Sequence, residues 1–188
     1  MGLNESAMVA ARHHWVESRL FGVLGGWVAT TSEPDAKLLF DRHSNHHAWR
    51  ARQWWDRLPV LADLDRAELV AAQGAGLVAA FDALAAQESI VTRLACTYRM
   101  MIPRLAASYK RQSLHASPVA DSSVLRTLAM LSADVATDWL EGEAVLECIL
   151  ETTPASKVDD GGDGGGALGV ATRCANSIEI QLVEGAGL

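Results

Sequence analysis

Residues 37–58, KLLFDRHSNHHAWRARQWWDRL, decide how this chain reads. Pro34 lies just upstream and suits the first turn of a helix, with Ser32 or Glu33 as its cap; Pro59 closes the segment. Each helical residue advances by about 100°, so Leu39, His43, Arg50 and Trp54 share one face. His47 stands close beside that face and His46 on its other edge. A face marked by leucine and tryptophan should pack into a core, yet this one also carries imidazoles and a guanidinium. Such groups are rarely buried together unless something pairs with them. His43 and His47 are four residues apart, and His43 and His46 three apart. Both spacings let two side chains of one helix reach a single metal ion. The competing reading is a hydrogen-bonded histidine cluster with no ion. Ser44 stands where the zinc-protease motif would require glutamate.

Working outward, apolar residues spaced by three and four (Val16, Leu20, Val23, Leu24, Trp27) predict a first helix from about Glu5 to Ala29. His13 and Glu17 fall on its buried arc, and a buried carboxylate needs a partner. Beyond Pro59 comes a connecting stretch, with a short helix from Asp65 and a weak point at Gly74-Ala75-Gly76. A third helix is expected from about Leu77 to Gln112, its apolar face formed by Val91, Leu94, Tyr98, Met101, Ile102 and Leu105. Pro103 lies inside it and should kink it or remove a hydrogen bond. SLHASPVADSS reads as a loop ending in capping residues.

The fourth helix should reach about Leu150, with Val124, Leu128, Leu131, Val135, Trp139, Val145 and Leu146 inward. Asp138 lies within its apolar arc and Asp134 on the margin, while Glu141, Glu143 and Glu147 read as solvated charges. The second helix is basic by contrast, with Arg42, Arg50, Arg52 and Arg57. Domain organisation follows: a helical domain over residues 1–153, then a glycine-rich tail over 154–188 expected to be flexible, in which SIEIQLV alternates like a strand.

Composition narrows the function classes. A net charge of -7 and a pI of about 5.3 argue against nucleic acid as a partner. No run of apolar residues is long enough for a membrane span. The first residues lack the basic and apolar regions of a secretory signal. Cys96, Cys148 and Cys174 form no Cys-x-x-Cys pair, so neither a disulfide framework nor a zinc ribbon is expected. A reducing cytoplasm is the simplest home. Trp49 and Trp55 fall away from the inner arc of the second helix, which predicts self-association, a homodimer in the simplest case.

Taken together, the all-α pattern and its inward polar residues resemble the ferritin-like superfamily. Its members are up-down four-helix bundles with one long crossover. Helices one and three each supply a carboxylate, and helices two and four each supply a Glu-x-x-His pair. The long stretch between the second and third helices fits the crossover, and the likeness covers roughly residues 5 to 150. Glu17 matches the first carboxylate and Glu88 the third-helix one. On the second helix only the histidine matches: His43-x-x-His46 has histidine in place of glutamate, and Ser44-x-x-His47 has serine. Asp134 and Asp138 on the fourth helix have Thr137 and Glu141 three residues on, where the family has histidine. The resemblance implies iron or another transition metal held by Glu17, His43, His46, His47, Glu88 and Asp138. It also implies an oxygen-activating oxidoreductase acting on a small molecule of unspecified identity. The departures support an alternative: a non-catalytic helical bundle that has lost the metal site and works by binding another protein.

Overall fold

A computed structural model describes residues 2–60, 62, 64–71, 73–152, 169, 172 and 176. The expected domain boundary after Thr153, the tail and SIEIQLV therefore lie largely outside the described residues. Every regular element described is helical: α1 (Leu3–Val28), α2 (Pro34–Trp55), α3 (Arg66–Ala71), α4 (Ala75–Ala85), α5 (Ile90–Ala95), a π turn (Cys96–Met101), α6 (Ile102–His115) and α7 (Ser122–Thr152). No described helix is long and apolar enough to cross a membrane.

The short break after α1 makes α1 and α2 antiparallel neighbours. Their approach is close at Gly25, where an added Cβ would stand 3.0 Å from Ser44 Oγ. That hydroxyl donates to the Phe21 carbonyl at 3.0 Å, so Ser44 joins two helices. Pro34 occupies the first turn of α2 and Glu33 the cap position, without a side-chain capping bond. Asp65 Oδ1 accepts the Ala67 amide at 2.8 Å and starts α3. Arg66 of α3 then lies over the Trp55 ring at 4.8 Å, while Trp49 stays 42% exposed.

The expected third helix is interrupted. α4 stops at Ala85, and a fresh helix begins after Ser89, whose hydroxyl accepts the Thr92 amide at 3.5 Å. From Ile90 the chain runs to His115 with a π turn in the middle. Pro103 supplies the cause. Its ring crowds the carbonyl four residues back, at Arg99, and it has no N–H to offer. A wider turn relieves the crowding, and π turns of this kind often accompany functional sites.

α7 packs against α2, α5, the π turn and α6, while α1 packs against α2, α3 and α4. α2 therefore lies between α1 and α7. The core carries Leu20, Leu24, Leu39, Phe40, Trp54, Phe81, Leu94 and Leu131, all essentially without solvent contact. Trp139, expected inward, is exposed at the surface, because Asp138 beside it takes the inner position.

Candidate functional site

The inward face of α2 stays in the core despite its charges. His43, His47 and Arg50 have no solvent exposure, nor does Glu17 of α1, and Asp138 of α7 is 1% exposed. Antiparallel register brings them together. Along α1 and α2, Glu17 meets His47 and Arg50. Along α2 and α7, Arg42 meets Glu141, His46 meets Asp138 and Arg50 meets Asp134.

Arg50 is the hub. Its Nε donates to Glu17 Oε1 at 3.1 Å, and one terminal nitrogen donates to Asp138 Oδ2 at 2.8 Å and to Asp134. Burial would lower its pKa, but Glu17 and Asp138 overrule that and raise it. Glu17 also accepts from the Tyr109 hydroxyl, which itself accepts the Trp54 indole N–H at 2.8 Å. His47 Nδ1 lies 2.5 Å from Glu17 Oε2. The second terminal nitrogen of Arg50 lies 2.9 Å from the same Nδ1, so a carboxylate and a guanidinium both meet it, while Nε2 has no hydrogen-bond partner among the described residues. Burial pushes the Glu17 carboxyl up, yet Arg50, His47 and Tyr109 hold it below its ordinary value. Burial keeps His47 neutral against the pull of Glu17.

The other end of the cluster is less enclosed. His43 Nε2 stands 3.4 Å from Asp138 Oδ1 and 3.1 Å from Glu141 Oε2. His46 Nδ1 is 2.8 Å from the same Asp138 oxygen, and its side chain is 37% exposed. The ligand atoms of His43, His46 and Asp138 all lie within 4.8 Å of one another. Burial lowers the pKa of His43, although Asp138 and Glu141 oppose this, so its imidazole stays in the neutral form that binds metals. Burial would raise the Asp138 carboxyl, but His43, Arg50 and His46 hold it down.

Tyr98 supports this corner from behind, with its hydroxyl 2.8 Å from His43 Nδ1. A hydroxyl both donates and accepts, so it suits either tautomer of the ring. The tyrosine reaches that place because position 142 is glycine: a Cβ there would stand 2.1 Å from Tyr98 Cδ1.

Of the six residues proposed from sequence, the structure joins Glu17, His43, His46, His47 and Asp138 in one connected cluster. Glu88 is not brought there. It is exposed on the connection between α4 and α5, because the helix that should have carried it inward breaks at that point. Sequence reading did not single out Tyr98, Tyr109 or Gly142 for the site, and it left Glu141 to solvent. Glu141 instead bonds both Arg42, at 2.6 Å, and His43. One signal was present: the chain's only two tyrosines lie three helical turns apart on one face, and buried tyrosines seek hydroxyl partners.

No protein-family model matches the chain, and no curated protein or solved structure matches it. The reading of the site therefore rests on its own geometry.

Proposed function

We propose that the chain is a ferritin-like helical bundle that binds a single divalent transition-metal ion, iron or zinc in class, through His43, His46, Asp138 and Glu141. The convergence of the His43, His46 and Asp138 ligand atoms within 4.8 Å carries this reading. Ligands about 2.1 Å from a tetrahedral ion stand about 3.4 Å from one another. The 2.8, 3.1 and 3.4 Å separations at this corner lie close to that, so small side-chain adjustments suffice. Imidazole with carboxylate suits zinc and iron. Tyr98 behind His43 is the outer-shell partner that fixes a ligand ring.

Charge adds support. Among the described residues, Glu17, Asp134, Asp138 and Glu141 pair with two guanidiniums, Arg50 and Arg42. With neutral histidines the cluster carries two uncompensated negative charges, which one divalent cation balances. Arg50 speaks against a two-ion, oxygen-activating centre, because it engages Glu17 and Asp138, carboxylates that a second ion would need. The same observation favours one competing reading, a metal-free bundle that binds another protein and uses Arg50 as its internal cation.

Equilibrium dialysis of the purified chain against zinc, manganese and ferrous iron, read by elemental analysis, separates the two. The metal reading expects one ion per chain in the wild type and none in His46→Ala. A wild type that retains no ion, and whose melting ignores all three metals, leaves the interaction bundle standing.

A further inference from the structure

Large apolar side chains gather on the side of the bundle that α2 and α7 form. Leu38 and Leu140 are 68% and 74% exposed, and Trp49 and Met130 are nearly half-exposed. Leu38, Arg42, Asn45 and Trp49 recur every three or four residues, so they share the outer side of α2. Met130, Ala133, Thr137, Leu140 and Ala144 do the same on α7, and all five are exposed. The two rows flank the seam that Arg42 and Glu141 close. Trp55, by contrast, is sheltered by the Arg66 guanidinium. Clustered apolar surface of this kind marks an interaction site, and three properties of the face specify its partner.

Shape is the first. The α2 row carries bulk at Leu38 and Trp49, whereas the α7 row offers the small residues Ala133, Thr137 and Ala144. Ion pairs fix the register between the rows: Arg42 stands level with Glu141, His46 with Asp138 and Arg50 with Asp134. Trp49 is therefore level with the gap between Ala133 and Thr137, and Leu38 with Ala144. A two-fold axis parallel to the helices turns the face onto itself, setting α2 of each copy over α7 of the other at the same level. Each large residue then meets a small one, the complementarity that close helix packing requires.

Charge is the second. From Pro34 to Trp55, α2 carries four basic and two acidic residues, while α7 carries one basic and six acidic. Setting α2 on α7 attracts, where α7 on α7 would repel. Size is the third. The 22 residues of α2 give a face about 33 Å long and, across two helices, about 20 Å wide. Two such faces bury roughly 1,300 Å² in total, within the range of specific stable interfaces.

We propose that the α2–α7 face binds a second copy of this chain, α2 of each against α7 of the other, with Trp49 seated between the partner's Ala133 and Thr137. His46 and Glu141, which reach solvent at the polar corner, lie in the seam that the second copy covers.

Sedimentation equilibrium of the full chain, over about a hundredfold range of concentration, tests the proposal. A dimer of twice the 20.1 kDa chain mass is expected. Trp49→Ala should weaken it by about tenfold or more, as loss of an interface anchor does. Leu38→Glu, at a solvent-facing position of the single chain, should leave folding intact and weaken the dimer similarly. Adding Ala144→Lys to Leu38→Glu should restore most of the loss, because each new carboxylate meets the partner's new ammonium. Leu114→Glu, equally exposed but on α6, should change nothing. A monomer at every concentration would overturn the proposal and leave the face to another protein. Equal weakening by Leu114→Glu would overturn the choice of surface, and failure of Ala144→Lys to restore association would overturn the pairing of α2 with α7.

Discussion

The two ends of the polar core use the same residue types and reach opposite states. At the closed end, Glu17 accepts from Arg50, His47 and Tyr109, and Arg50 reaches across to α7. At the corner, His43, His46, Asp138 and Glu141 crowd their acceptor and ring atoms together, with His46 and Glu141 reaching solvent. The placement of the guanidiniums makes the difference. At the closed end Arg50 is wholly buried among its carboxylates and satisfies them. At the corner Arg50 reaches only the other oxygen of Asp138 and Arg42 meets Glu141 at the surface, so Asp138 Oδ1 and the neutral imidazoles remain available to a ligand. Composition alone would not separate the two ends.

Arg50→Ala should break this contrast most severely. It leaves Glu17 and Asp138 buried without their main counter-charge, and removing one partner of a buried ion pair typically costs about 3–5 kcal/mol. Chemical denaturation should show a loss of that order, together with a shallow, poorly cooperative transition if the carboxylates draw water into the core. A loss under about 1 kcal/mol would mean that Arg50 is not the cation holding the closed end.

Gly142→Ala should act on the corner instead. The new methyl would overlap the Tyr98 ring, and because the contact is with a ring carbon held between helices, the tyrosine must move as a whole. Overpacking of this kind costs about 1–3 kcal/mol. Displacing Tyr98 also removes the hydroxyl behind His43, so metal retention should weaken while the closed end, and its dependence on Arg50, stays intact. Wild-type stability and metal retention together would show that Tyr98 neither packs on Gly142 nor positions His43.

Much of this was legible in the sequence, for a geometrical reason. The 100° step is rigid, so Leu39, His43, His47, Arg50 and Trp54 of α2, with His13 and Glu17 of α1, all take the buried positions that spacing assigns. Pro34 and Pro59 bracket α2 as proline chemistry requires. What spacing does not carry is where a run stops when no glycine or proline marks it. The apolar pattern passes through Gln87 and Glu88 without interruption, and only the Ser89 cap reveals the break. Spacing also says nothing about partners on other helices. Glu141 reads as solvated until antiparallel register sets Arg42 and His43 opposite it. Gly142 reads as a neutral helix residue until Tyr98 arrives on its surface.

The smallest expected effect is a pH dependence at the closed end. His13 packs edge-on against Tyr109, with ring centroids 4.8 Å apart, and its Nε2 lies 2.9 Å from Ser108 Oγ. Burial pushes its pKa from the ordinary 6.5 down to about 3, with Glu17 opposing the shift and Arg12 and Arg111 adding to it. The folded state therefore binds fewer protons than the unfolded chain throughout the interval from 6.5 to about 3. Above 6.5 the ring is neutral in both states and its stability contribution is whole. Below 6.5 that contribution falls as the pH falls, by up to about 1.4 kcal/mol per unit for a single group. His43 and His47 are lowered as well and steepen the decline, and Glu17 and Asp138, held below their ordinary values, extend it into the acid range. Urea denaturation of wild type and His13→Leu at intervals between pH 7.5 and 5 isolates the one residue. The two curves should run parallel above 6.5 and converge below it, the wild type losing stability faster. Curves that stay parallel down to pH 5 would mean that His13 is protonated, or reached by water, in the folded protein, and that the closed end is not sealed on that side.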